Sequence, residues 1–457
     1  MSCDRRGESR WSRSTTAATA AAVLVLASTI GAFAAEPRYQ RLARETVGAD
    51  QGVYVRAENG TVLASVAAER AVHPASVTKV ASTLALLERL GPDHRFATRL
   101  LASGPVRGGR LAGDLLVQPG GDPFLVSENA ILMLATLRCL GVRDVAGRAR
   151  IEGKQELVFN WKPDPGGRAF AADVSGAAPR AAWTAVANAD EGIGECSPSA
   201  LGLRFGKHAA TPKGRPTPLL EHRSAPLLRV LKELNGFSNN IFHPLTRRIG
   251  GPGEVGQSAR AAVAPDLRDE IRLDNGAGAG TTNRMSPRAA VAVIDALAKY
   301  LARHDLDLSS VLPVAGVDTG TLAHRFTARD LKGVVVGKTG TYGSLGASAL
   351  AGVLRTRKYG VVTFAILNKG LSVPEARKRQ DAFVTALIRD AGGIPWQYER
   401  ATGPAFAEAE VEALAGDASC GLPRTESEGK LRSAGGPKAP LAPADRRSAD
   451  RPGADER

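Results

Sequence analysis

Residues 333–391 constrain the fold of this chain more than any other stretch. GVVVGKTGTYG at 333–343, SALAGVLRT at 348–356 and GVVTFAILN at 360–368 are apolar, Val-rich runs separated by short turns. Runs of that length and composition read as consecutive antiparallel strands. A helical pattern over 373–391 follows at once and has to pack on the sheet they make. The expectation is an α+β domain, an antiparallel sheet with flanking helices.

The upstream chain supplies more of the same body. Residues 52–58 and 61–66 read as two strands turned at Asn59-Gly60, a hairpin signal. His73-Pro74-Ala75-Ser76 opens a helix in which Val77, Val80, Ala81, Leu84 and Leu87 recur at helical spacing, and Gly91-Pro92 ends it. Further helices are expected from 224 to 236 and from 287 to 301. Between them, residues 106–215 are rich in Gly and Pro with short strand-like runs (DLLVQ, QELVF), which predicts an inserted, mostly β subdomain. The catalytic domain is therefore expected to be discontinuous, 36–105 and 216–397. Residues 398–457, of Ala, Gly, Pro and mixed charge, are expected to be a disordered tail.

The N-terminus predicts export. Arg5, Arg6, Arg10 and Arg13 precede an apolar run at 15–32, and Ala32-Phe33-Ala34 matches a leader-peptidase site. A signal peptide over 1–34 and a periplasmic mature protein are expected; a retained anchor is the alternative. Export permits disulfides. Cys139 and Cys196 are the expected pair, since Cys420 falls in the tail, and three unpaired thiols are the alternative. The formal charge is +14, yet no basic stretch is interleaved with aromatics, so nucleic acid is not an expected partner. A basic exported surface is drawn instead to anionic wall polymer, with at most peripheral contact with the membrane. The seven histidines lack ligand spacing, so neither metal nor cofactor is expected.

Three short motifs stand in order: Ser76-Val77-Thr78-Lys79, Ser238-Asn239-Asn240 and Lys338-Thr339-Gly340. Singly the first two are weak, and Ser427-Glu428-Gly429-Lys430 and Ser127-Glu128-Asn129 match them elsewhere. Placement separates them. Ser76 and Lys79 lie one helical turn apart on one face, within hydrogen-bond reach. A serine hydroxyl becomes a nucleophile only when a base takes its proton, and Lys79 can be that base only if burial and a second cation such as Lys338 lower its pKa. Ser238 and Asn240 fall in a turn between helices, suited to relaying a proton to the leaving amine and to holding Lys79 and a substrate amide. Lys338, Thr339 and Gly340 lie on a strand whose edge could pair an extended peptide and take its terminal carboxylate.

In these motifs the chain resembles the D-alanyl-D-alanine carboxypeptidase/endopeptidases among the low-molecular-mass penicillin-binding proteins. The segments GDLLVQPGGDP (113–123), NRMSP (283–287) and LPVAGVD (312–318) extend the resemblance over roughly 45–125 and 220–395. It implies a penicillin-binding, β-lactamase-like fold, with Ser76 acylated by D-alanyl peptides of peptidoglycan and by β-lactams. It also implies that Lys79 is the base, that Ser238, Asn240, Lys338, Thr339 and Gly340 line the site, and that the backbone N–H groups of Ser76 and Thr341 form an oxyanion hole. Two features depart from the family pattern. The insertion is short, and the loop at 275–280, Asn-Gly-Ala-Gly-Ala-Gly, lacks the two serines of the family's Asp-Gly-Ser-Gly-Leu-Ser. A β-lactamase would need a deacylating base, and no E-x-x-L-N segment follows Ser238; a scaffold protein without turnover is the other alternative.

Overall fold

The computed structural model describes residues 36–189, 198–208, 215–237, 240–400 and 403–416. In chain order the elements used below are helix α1 (Arg38–Thr46), strands β1 (Gly52–Arg56) and β2 (Val62–Val66), helix α2 (Thr78–Leu90), strands β3 (Ala97–Ala102) and β4 (Leu115–Gln118), helix α3 (Ser127–Cys139), strand β5 (Thr217–Arg223), helices α4 (Leu227–Gly236) and α5 (Pro287–Ala302), strands β6 (Val335–Tyr342), β7 (Ala347–Thr356) and β8 (Gly360–Asn368), helix α6 (Val373–Ala391) and strand β9 (Glu410–Ala413).

The main sheet runs β6-β7-β8-β1-β2, every pair antiparallel. Its alternation is strict. Ala349, Ala351 and Val353 of β7 and Ala365 and Leu367 of β8 join one core with α2, α4 and α5. Leu350, Leu354, Val362, Phe364 and Ile366 join a second core with α1 and α6 on the opposite face. Because successive side chains point to opposite faces and both faces are apolar, the sheet must be covered on both sides, giving three layers. Helix α2 is buried all round from Thr78 to Leu87, so the one lysine of its first turn is carried into the core. Strand β6 ends the sheet at one edge; Val314 bridges it at Val336, while 338–341 carry no further strand among the described residues.

The insertion has its own core and its own sheet, β9-β5-β3-β4 followed by Ala149–Ile151. It is not mostly β. Helix α3 packs on that sheet, and the helix Arg180–Ala189 packs against α3 in the same core. In α3, Ala130, Ile131, Leu132, Met133, Leu134 and Leu137 are all buried, so its apolar positions surround the axis and leave no helical stripe to read. The limits 106–215 also cut through the sheet, since β3 and β5 carry Leu100 and Leu220 into the insertion's core. Part of the expected tail is ordered for the same reason. Phe406 and Val411 are buried in that core, and β9 pairs antiparallel with β5, Val411 opposite His222. The leader, Cys196, Cys420 and residues 417–457 lie outside the described residues. Cys139 is disulfide-bonded.

Candidate active site

A short helical turn, Ala75–Val77, delivers Ser76 to the start of α2. Ala75 holds φ +47°, a left-handed value that costs a β-carbon-bearing residue roughly 1–2 kcal/mol. This strain sits one residue before the candidate nucleophile, where packing around the turn has to maintain it. Ser76 is 8 % exposed, whereas the Lys79 and Lys338 side chains are fully buried.

Lys79 Nζ lies 2.8 Å from Ser76 Oγ and donates to the backbone carbonyl of Ala277 at 2.8 Å. The Phe242 ring closes its other side, 5.7 Å from Nζ to the ring centroid. Burial, then the charge of Lys338, lowers the Lys79 pKa to about 6. At neutral pH the amine is therefore mostly unprotonated and has a lone pair for the Ser76 hydroxyl proton. Burial also lowers Lys338, only to about 8, so that ammonium keeps most of its charge; its Nζ donates to the Thr339 carbonyl at 3.0 Å.

Two glycines permit the close packing. A β-carbon at Gly340 would lie 2.8 Å from the Pro74 carbonyl oxygen and 3.0 Å from the Ser76 nitrogen, so the Lys338–Gly340 strand can pass the nucleophile only without a side chain. Gly278, at φ +79°, brings the 275–280 loop against the same turn, where a β-carbon would stand 1.9 Å from the Ala75 carbonyl oxygen. The loop is held by amides. Asn275 Oδ1 accepts from the backbone N–H groups of Ala277 (2.8 Å) and Ala279 (3.1 Å). Asn283 Oδ1 accepts from Asp274 and Asn275 N–H, and its Nδ2 donates to the Asn275 carbonyl at 2.9 Å.

Ser76, Lys79, Lys338, Thr339, Gly340 and Thr341 are thus brought to one edge of the main sheet. Ser238 lies outside the described residues. Asn240 is exposed, and no hydrogen bond joins it to Lys79; the Ala277 carbonyl holds the amine instead. Sequence reasoning missed four supporting groups. His73 accepts from Ala75 N–H, Thr321 Oγ1 accepts from the Thr339 hydroxyl at 2.6 Å, Arg377 donates to Thr341 Oγ1 at 3.2 Å, and Ala277 acts through its backbone alone. Only the pairing of Asn275-Gly276 with Asn283 around a Gly-rich loop was a visible signal. Among the described residues no group of three or more His, Cys, Asp or Glu could hold a metal ion.

The model of the D-Ala-D-Ala carboxypeptidase 3 (S13) family matches residues 39–201 and 176–389. The chain is 27% identical over 387 residues to Carboxypeptidase DacB of Mycolicibacterium smegmatis, covering 77% of this chain and 82% of that protein. It is also 27% identical over 444 residues to a D-alanyl-D-alanine carboxypeptidase of Actinomadura sp. strain R39, covering 74% and 81%. The penicillin G-acylated Bd3459 predatory endopeptidase of Bdellovibrio bacteriovorus superposes with a TM-score of 0.63 at 21% identity, over 78% of this chain and 96% of that one, which shows a shared fold.

Proposed function

The chain belongs to the D-Ala-D-Ala carboxypeptidase 3 (S13) family of serine hydrolases, and from that premise we propose that Ser76 is the nucleophile through which it cleaves D-alanyl bonds of peptidoglycan. The observation that carries this reading is the 2.8 Å approach of Lys79 Nζ to Ser76 Oγ, with the amine's pKa lowered to about 6. Lys79 takes the hydroxyl proton as Ser76 Oγ attacks the carbonyl carbon of the penultimate D-alanine. The oxyanion forms beside the first turn of α2 and the 340–341 backbone, and the N–H groups of Ser76 and Thr341 are the donors assigned to it. As the tetrahedral adduct collapses, the C–N bond breaks and the proton on Lys79 passes to the leaving amine, with Ser238 assigned as relay. Water then releases the acyl group by the reverse sequence.

Substrate is taken to pair along the outer edge of β6 at 338–341, an edge that no strand among the described residues covers beyond the Val314 bridge. Lys338, mostly protonated at neutral pH, supplies the positive potential for the terminal carboxylate, and the hydroxyls of Thr339 and Thr341 supply donors. A cross-link whose amine belongs to a second stem peptide fits the same scheme, so endopeptidase as well as carboxypeptidase action is proposed. β-Lactams would acylate Ser76, in keeping with the penicillin-acylated form of the fold relative. The 1–34 leader supports export to the periplasm, and no helix among the described residues is long and apolar enough to cross a membrane. N-terminal sequencing of the mature protein tests export; a chain still beginning at Met1 rejects it.

Fluorescent-penicillin labelling of wild type against Ser76→Ala, with release of D-alanine from a muropeptide ending in D-Ala-D-Ala, tests the nucleophile. Label and release in wild type and neither in Ser76→Ala are expected. Equal labelling of the two rejects Ser76.

A further inference from the structure

His73 is buried, 7 % exposed, three residues before Ser76. Its ring makes two polar contacts in different directions. Nδ1 lies 3.2 Å from the backbone nitrogen of Ala75, the residue held at φ +47°. Nε2 lies 2.9 Å from the carbonyl oxygen of Gly280, at the far end of the loop whose Ala277 carbonyl holds Lys79. Chemistry leaves one protonation state that satisfies both. The Ala75 N–H is a donor, so Nδ1 must present its lone pair; the Gly280 carbonyl is an acceptor, so Nε2 must carry the hydrogen. A doubly protonated ring would turn an N–H towards the Ala75 N–H and lose the first bond.

We propose that His73 is a positioning residue for the reaction. As a single neutral tautomer it clamps the strained Ser76 turn to the 275–280 loop, so nucleophile and base are held by one side chain that touches neither substrate nor reacting atoms. The clamp complements the close packing of Gly278 on Ala75, which brings the same two segments together without fastening them. The groups facing the ring favour the neutral form. Burial lowers the His73 pKa from its ordinary value, the Gly280 carbonyl opposes this, and the Arg284 guanidinium from beyond the loop adds to it. From β6 the Tyr342 ring packs at 5.0 Å between centroids. The ionisable side chains of β6 are Lys338 and Tyr342 and that of the first turn of α2 is Lys79, so neither brings a carboxylate.

The inference rests on Ser76 acylation with Lys79 as base, so the experiment first establishes that wild type is labelled by penicillin at Ser76. The acylation rate is then followed from pH 4.5 to 8 in wild type, His73→Phe, His73→Asn and His73→Gln, with circular dichroism confirming the fold at each pH. His73→Phe removes both bonds and is expected to slow acylation about 100-fold at neutral pH, the scale of a small misplacement of reacting groups. Asn can accept from Ala75 N–H and Gln can donate to the Gly280 carbonyl, so each is expected to recover part of that loss. The acid limb separates positioning from bulk packing. Protonating His73 would cost wild type the Ala75 bond on top of the protonation of Lys79, so its rate should fall more steeply towards acid pH than that of any of the three variants, which lose rate through Lys79 alone. Wild-type rates in the variants, or an acid limb as steep without His73 as with it, overturns the clamp while leaving Ser76 intact. Absence of label on wild-type Ser76 overturns the nucleophile assignment and the clamp with it.

Discussion

The carbonyl of Ala277 accepts a 2.8 Å hydrogen bond from Lys79 Nζ, so a loop without side-chain hydroxyls still orients the base. An unprotonated amine has two N–H bonds and one lone pair. Donation of one N–H to Ala277 helps aim the lone pair at Ser76 Oγ, also 2.8 Å away. Loss of the family's serines at 277 and 280 therefore leaves the proton-transfer pair in place, because the backbone supplies the contact.

That dependence on backbone position predicts an effect at Gly278. Gly278→Ala places a methyl 1.9 Å from the Ala75 carbonyl oxygen at φ +79° and must push the loop away from the nucleophile turn. Acylation is expected to fall about 100-fold. Gly280→Ala is the control, since it has the same φ of +79° with nothing within 4 Å of the added carbon. It should show the backbone strain, roughly 1 kcal/mol of stability, with a much smaller loss of rate. Stopped-flow acylation and denaturant melts of both variants check the pair; equal rate losses would refute the collision.

Lys79 sets the pH dependence. With its folded pKa lowered to about 6, acylation should rise with pH through that value and then level off. Lys79→Arg keeps a cation that cannot accept a proton at working pH, so its acylation should collapse while the fold persists. Stability rises with pH as well, but over a higher window. Between about pH 6 and the ordinary lysine value of 10.5 the unfolded chain binds a proton that the folded chain does not, so burying this base is unfavourable, and less so as pH rises. Lys79→Met should therefore melt above wild type at pH 7, and the gap should narrow towards pH 10. Scanning calorimetry across that range checks the sign; a gap that widens with pH would contradict a neutral buried lysine.

The parts of this molecule that could be read in advance are those where one chemical rule acts alone. β6, β7 and β8 were legible because apolar faces on both sides of a strand need an unbroken Val- and Ala-rich run. Ser76 and Lys79 were legible because one helical turn joins them. Helix α3 was not, since a helix buried on every side loses its stripe. β9 was hidden because Glu-Val-Glu-Ala is too short to stand out and becomes a strand only when β5 offers an edge. His73 and Ala277 were hidden for another reason. One acts through a tautomer facing a carbonyl far along the chain and the other through its own carbonyl, and side-chain identity records neither.

The insertion's covalent link can be tested directly. Cys139 ends α3 and is disulfide-bonded, and Cys196 is the proposed partner. Peptide mapping without reduction should recover the two cysteines joined, and reduction should cost about 2–4 kcal/mol of stability. A Cys139 peptide linked to Cys420 instead would replace the assignment.

The strand β9 makes the sharpest prediction about the end of the chain. Phe406 and Val411 are buried in the insertion's core, Arg229 Nε donates to Glu408 Oε1 at 2.8 Å, and Arg95 donates to the Glu408 carbonyl at 2.6 Å. Arg95 and Arg229 flank β3 and β5 on the side of the catalytic domain, so these contacts tie the end of the chain to the junction of the two bodies. Deleting residues 417–457 removes none of this and should leave the melting temperature unchanged. Deleting 403–457 exposes two large apolar side chains' worth of core, about 1.5–3 kcal/mol for each, and leaves the buried Arg229 without its Glu408 partner. It also turns β5 into an open edge that invites association between chains. The longer deletion should melt well below wild type and show concentration-dependent aggregation by light scattering, while penicillin still labels its folded fraction at Ser76. Identical melting of the two truncations would show that β9 contributes nothing to holding the insertion together.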